Sequence, residues 1–154
     1  MPLRYEYKYF VPNNKMEMLR SMILPFVKYD KFAEKMPDHQ YTVRSIYFDT
    51  PEYNCYFEKL EGIKHRKKFR LRGYNLPDPE NGKVFFEIKR KYEDPIMKNR
   101  APSEFELAQS MFKDGNFSDY MPDKMKYPLA EDNLKRFFYH YHSDHLRPVV
   151  LVIY

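Results

Sequence analysis

The stretch Lys64–Tyr74, KHRKKFRLRGY, limits the possible folds of this chain more than any other. Read with a period of two, Arg66, Lys68, Arg70, Arg72 and Tyr74 share one face, and His65, Lys67, Phe69, Leu71 and Gly73 the other. The second face turns apolar from Phe69 onward and can pack on a core. The first is a row of like charges, which repels itself unless water or an anion intervenes. A helix would scatter both sets, so the pattern predicts a β-strand with a core side and a cationic side. Lys64–Arg72 holds six Lys/Arg and no acid, whereas the whole chain of 154 residues has a net charge of +5. The rest is therefore close to neutral. Charge this concentrated indicates a local anion site rather than general affinity for nucleic acid or membranes. Forked guanidinium groups suit phosphate.

The neighbouring segments extend the pattern. Lys83–Tyr92, KVFFEIKRKY, puts Phe85, Glu87, Lys89 and Lys91 on one face and Val84, Phe86, Ile88 and Arg90 on the other. Asn-Leu-Pro-Asp-Pro-Glu-Asn-Gly between the two runs is turn chemistry, so they are expected to form an antiparallel hairpin. Arg4–Val11 alternates in the same way, with Arg4, Glu6 and Lys8 opposite Tyr5, Tyr7 and Tyr9, and reads as a first strand. Tyr41–Asp49 reads as a further strand, and Val149–Tyr154 as the last. Helices are expected over 14–27, from Pro51 to Gly62 with Tyr53, Tyr56, Phe57 and Leu60 on its apolar face, from Pro102 to Phe112 and from Glu131 to His142. Asn14 with Glu17 reads as a capping box, Thr50-Pro51 as a helix start, and 93–101 as a charged loop. The reading is one domain over residues 1–154. The final strand ends in bare β-branched residues, so the expectation is a fragment of a longer protein, with an open sheet edge available for self-association.

Other chemistries are weaker. A single cysteine, Cys55, excludes an intramolecular disulfide and cysteine zinc clusters, and reads as passive. His140, His142, Asp144 and His145 lie at a helix end and read as helix-terminal groups rather than a metal site. Asp49, at a strand–helix junction, reads as a cap. No targeting or membrane-spanning segment is evident, so a cytoplasmic placement without direct membrane contact is expected.

In order along the chain, Arg4-x-Glu6-x-Lys8, Ser45-Ile46-Tyr47-Phe48-Asp49-Thr50-Pro51, Lys68-Phe69-Arg70-Leu71-Arg72 and Glu87-Ile88-Lys89 resemble the motifs of the VTC domain. That is the polyphosphate polymerase branch of the triphosphate tunnel metalloenzymes, or CYTH-like superfamily, and the likeness covers nearly the whole chain. It implies an α+β fold: an antiparallel eight-stranded β tunnel or barrel with external helices, incomplete here because the sequence shows about five strands. Lys8, Arg70, Arg72 and Lys89 match the tunnel's phosphate-holding and catalytic basic residues. Arg66 and Lys68 join them as phosphate-binding positions on the cationic strand face, and Lys98 matches a further basic residue. Glu6 and Glu87 match acidic positions facing the lumen, either to position the basic side chains or to contribute to a metal site. The implied cofactor is Mn²⁺ or Mg²⁺, a hard cation suited to phosphate oxygens. The implied ligands are ATP, tripolyphosphate or polyphosphate. The implied activity is phosphoryl transfer in the full-length protein, as polymerase or triphosphatase; the chain alone is expected to bind weakly and catalyse nothing.

A second reading is a β-sheet module for polyanions or single-stranded RNA. Nucleic-acid platforms interleave rings with cations on one face. Here Phe69, Phe86 and the tyrosines of the first strand lie opposite the charged rows, which disfavours specific nucleic-acid binding. Tyr74 and Phe85 are the exceptions.

Overall fold

A computed structural model describes residues 9–30, 33–36, 39–74, 82–93 and 95–154. They fall into two compact units, Glu6–Tyr41 and Thr42–Tyr154. In the smaller unit, helix α1 spans Met16–Ile23, between short 3₁₀ turns at Asn13–Lys15 and Leu24–Phe26. The expected helix over 14–27 is thus shorter and segmented. No side chain caps α1, so the capping box of Asn14 and Glu17 is not formed. The leading 3₁₀ turn moves the helix start to Met16, and Pro25 takes up the trailing turn. The predicted first strand lies largely outside the described residues; Tyr9–Val11 are described and carry no regular structure ahead of Pro12.

The larger unit is an antiparallel sheet with helices on one face. Its elements run β1 (Val43–Asp49), α2 (Asn54–Leu60), β2 (His65–Tyr74), β3 (Lys83–Tyr92), β4 (Ile96–Glu104), α3 (Phe105–Asp114), α4 (Ala130–Ser143) and β5 (Arg147–Ile153). The sheet order is β4-β3-β2-β1-β5. The hairpin expected between Lys64–Tyr74 and Lys83–Tyr92 is the β2–β3 pair, with Arg70 opposite Glu87. The expected tunnel is not what the described residues form: the five described strands make an open sheet, with β4 and β5 at its two ends.

One segment departs from the sequence expectation. Residues 93–101, expected as a loop, supply most of β4, and the helix expected from Pro102 begins at Phe105. Lys-Asn-Arg-Ala-Pro has little β-propensity, but β4 is a terminal strand of the described sheet, where a proline without an N–H is tolerated. Pro102 pairs across from Phe85, and Glu93, at φ 54°, starts the chain reversal before β4.

The core lies between the sheet and helices α3 and α4. Phe48, Phe69, Leu71, Val84, Phe86, Ile88 and Ala101 of the strands meet Ala108, Met111, Leu134, Phe137 and Phe138 of the helices. Phe137 is fully buried, and its ring contacts those of Phe48, Phe69 and Phe86 at 5.2–6.1 Å between centroids. Such edge-on contacts add to the burial energy of each ring. Asn133 ties α4 to β4 by donating to the Arg100 carbonyl (3.0 Å) and accepting from Asn99 (2.8 Å). Among the described residues no helix is long and apolar enough to cross a membrane.

Candidate functional site

With one sheet face packed on α3 and α4, the period of two sends the remaining side chains to the other. Register lines them up in rows across the strands. Arg66 stands beside Lys91. Next come Lys68, Lys89 and Lys98, side by side on β2, β3 and β4. The third row is Tyr47, Arg70, Glu87 and Arg100, and the fourth Ser45, Arg72, Phe85 and Pro102. Tyr74 follows at the end of β2.

Glu87 is the hub of this face. It is fully buried. Its Oε2 lies 2.6 Å from Arg70 Nη2 and accepts a 2.7 Å hydrogen bond from Arg70 Nε. Its Oε1 lies 2.6 Å from Lys98 Nζ and 2.9 Å from Arg100 Nε. Burial alone would raise the carboxyl's pKa, but Arg70, Lys98 and Arg100 overcome it and hold the group below the usual glutamate range. One carboxylate thus fixes three cations from two flanking strands.

The aromatic and hydroxyl groups complete the scaffold. Arg70 donates from Nη1 to the Tyr47 hydroxyl at 3.2 Å. Burial opposes ionisation of that phenol, yet the Arg70 bond and the charges of Arg70, Arg72 and Lys68 lower its pKa. Arg72 donates from Nε to Ser45 Oγ at 3.0 Å and from Nη2 to the Tyr154 hydroxyl. Arg100 sits over Phe85, 3.6 Å from the ring centroid, and donates to the Tyr74 hydroxyl at 2.8 Å.

Lys68 is different in kind. Burial, reinforced by the positive charges of Lys59, Arg66 and Lys89, holds its ammonium below the usual lysine range. Lys98 is also lowered by burial, against the pull of Glu87. A cation that its surroundings disfavour is stabilised by any anion that arrives, which is the electrostatic condition for phosphate binding.

The sequence-derived residues are therefore distributed as follows. Arg66, Lys68, Arg70, Arg72, Lys89, Lys98 and Glu87 meet on one face. Lys8 and Glu6 lie outside the described residues. Lys98 belongs to β4 rather than to a loop, and this strand also brings in Arg100, which sequence reasoning missed. The signal was available, since Lys98 and Arg100 are two apart and share a strand face, but it was hidden once 93–101 was read as irregular. Tyr47 and Ser45, inside a quoted motif, and Tyr154 gained their roles only from the register.

The features set aside also have clear places. The Asp49 carboxylate accepts from the backbone N–H of Thr50 (2.8 Å), Cys55 (2.9 Å) and Tyr56 (3.0 Å), so it caps α2 as expected. Thr50 Oγ1 accepts from Asn54 N at 3.1 Å; the helix starts there, three residues later than Pro51 suggested, after Tyr53 at φ 59°. Cys55 is pushed up to about 12 by burial and by the Asp49 charge, which makes it inert. His140 Nδ1 lies 2.8 Å from Asp144 Oδ2, a pair at the C-terminal end of α4. Among the described residues no group of three or more His, Cys, Asp or Glu is placed to hold a metal ion.

The family model of the VTC domain matches residues 3–154, essentially the full chain. No curated protein matches it. The chain belongs to the VTC domain family, the polyphosphate polymerase domain of the triphosphate tunnel fold, which gives it a polyphosphate-related role.

Proposed function

We propose that the β2–β4 face binds the phosphate chain of ATP, tripolyphosphate or polyphosphate, and that the full-length protein transfers phosphoryl groups along it. The observation that carries this is the row structure: Lys68, Lys89 and Lys98 stand beside Arg70 and Arg100, with Glu87 the acidic side chain of those two rows. Alternate residues of a strand recur every ~6.6 Å, so Lys68, Arg70 and Arg72 track an extended polyanion. Closure into a tunnel would surround the chain with such groups; the tunnel is part of this proposal.

Phosphoryl transfer asks for positioning and charge neutralisation more than for a protein nucleophile. Arg70 and Arg100, fixed by Glu87, Tyr47 and Tyr74, provide guanidinium groups that do not have to be ordered when substrate arrives. Lys68, poised by burial and like charge, gains most from a bound phosphate. Arg66, Arg72 and Lys89 extend the face, and Lys8 would join it in the family pattern.

A divalent ion, Mn²⁺ or Mg²⁺, would supply charge neutralisation at phosphate oxygens. Glu87 does not fit as its protein ligand, because both oxygens already meet cations and the surrounding field repels a metal. Its proposed role is to position Arg70, Lys98 and Arg100. Glu6 lies outside the described residues.

The test is calorimetric titration of this chain with tripolyphosphate, with and without Mn²⁺. Orthophosphate, a short single-stranded RNA and the Arg70→Ala/Arg72→Ala variant serve as controls. Tripolyphosphate binding that is lost in the variant and unmatched by RNA is the expected result, and micromolar affinity would give the strongest support. RNA binding as tight as tripolyphosphate would replace this reading with the nucleic-acid module.

A further inference from the structure

The cationic face is not uniform along its length. Toward Arg66 its rows hold lysine and arginine, with Lys68, Lys89 and Lys98 abreast. Toward Tyr74 rings join the cations, and Lys83 at that end lies 3.8 Å from Glu104 of β4. Tyr74 and Phe85 stand edge to face at 5.8 Å, and Tyr127, from the segment before α4, reaches Phe85 at 6.3 Å. Arg72 and Arg100 lie among these rings, and Lys126 lies 5.6 Å from the Tyr127 centroid. Arg100 lies 3.6 Å from the Phe85 centroid and 5.5 Å from that of Tyr74. Arg72 lies 6.0 Å from the Tyr74 centroid and 5.7 Å from that of Tyr154. A bare phosphate chain has no use for this difference, since it has no ring to stack and no apolar edge to bury.

We infer that the Tyr74–Phe85–Arg100 end of the face is a nucleoside subsite, which holds the base of a nucleoside polyphosphate while its phosphates run toward Lys68 and Lys89. This rests on the phosphate-binding reading of the same face and adds a polarity to it. Guanidinium planes and tyrosine rings are the surfaces on which proteins stack heteroaromatic bases. The Arg100 guanidinium already sits over the Phe85 ring, 3.6 Å from its centroid, so a base bound beside it would join an existing cation–ring contact. Arg72 sits where ring and phosphate chemistry meet, beside Tyr74 and one strand position pair from Arg70. Lys68 is four residues further, about 13 Å along the strand.

The face therefore distinguishes two ligands that share the same phosphates. Removing a stacking ring lowers the affinity for a base by about fivefold or more. In the Tyr74→Leu variant the loss for ATP is expected to exceed the loss for tripolyphosphate by at least fivefold, measured by calorimetry on the full chain. In the wild-type protein, proton NMR of ATP should show the adenine H2 and H8 resonances shifted upfield on binding, as ring stacking requires. This second measurement does not depend on the folding of any variant. Equal losses for the two ligands, or adenine resonances that do not move while ATP binds, would overturn the nucleoside subsite and leave the phosphate site standing. Failure of the wild-type chain to bind either ligand would overturn both. Binding of single-stranded RNA that is lost in the same variant and exceeds that of ATP would reassign the rings to a nucleic-acid platform.

Discussion

Glu87→Gln removes one charge and almost no volume from the best-organised point of the sheet. In the native protein the carboxylate is fully buried and meets Arg70 at 2.6 Å, Lys98 at 2.6 Å and Arg100 at 2.9 Å. Those cations are themselves mostly shielded, with side-chain exposures of 12%, 29% and 25%. The amide keeps a carbonyl acceptor for one partner but leaves positive groups gathered without a counter-charge. Breaking a buried ion pair from one side costs about 3–5 kcal/mol. Retained hydrogen bonding and partial solvent access at Lys98 and Arg100 place the expected loss near the lower figure, about 3 kcal/mol. Urea unfolding at neutral pH measures it. The pH dependence gives an independent check. The folded carboxyl titrates below its ordinary value of 4.5, so its contribution is present above that pH and lost as pH falls through the depressed folded value. The wild-type advantage over Glu87→Gln should therefore shrink in acid. Tripolyphosphate should recover part of the lost stability by supplying the missing negative charge. A neutral-pH loss below about 1 kcal/mol, or an advantage that grows in acid, would refute the counter-ion role.

Three further outcomes follow from other parts of the fold. Asp49→Ala removes the acceptor of three backbone N–H groups at the start of α2 and should cost about 2–4 kcal/mol in chemical unfolding, against under 1 for an ordinary surface change. Cys55, raised to about 12, should react with iodoacetamide at pH 8 about three orders of magnitude more slowly than a free thiol, as followed by mass spectrometry on the native protein; rapid alkylation would show that the thiol is not held as described. Lys68→Met should raise stability at neutral pH while weakening tripolyphosphate binding. The folded pKa of Lys68 is depressed from its ordinary 10.5, so its charge penalises folding below that value and is relieved as pH rises through it; a less stable variant would refute the reading.

The hairpin of β2 and β3 was legible because its two faces differ in kind. Phe69 and Leu71 against Arg70 and Arg72 leave one register that buries the first pair, and a slip of one residue would bury the arginines. The Asp49 cap was legible from its place between a β-branched run and an amphipathic one. Strand β4 was not. Its side chains have low β-propensity, and it holds its place through the ladder with β3 and through Glu87 on that strand, which reaches across to Lys98 and Arg100. Arg100 was lost with it. Pairwise contacts of this sort leave no trace in the periodicity of either segment, since each strand reads only as charged. Closure of the sheet was likewise beyond the pattern, because alternation is the same in an open sheet and in a barrel.

The same contrast explains why the cationic face does not undermine the fold. Stability resides on the opposite side, where Phe48, Phe69, Phe86 and Phe137 form a continuous aromatic core with α3 and α4. Core packing does not depend on the charge state of Arg70 or Lys68, as the two faces share only the backbone between them. Glu87 offsets the strongest repulsion by holding three cations at once, and Lys68 is left disfavoured by its neighbours. A second carboxylate beside Lys68 would relieve that strain, but it would also occupy the position where a phosphate gains most. Lys68, disfavoured by burial and by neighbouring cations, is thus where this face gains most from an arriving phosphate. For that reason Lys68→Met and Glu87→Gln should move stability in opposite directions.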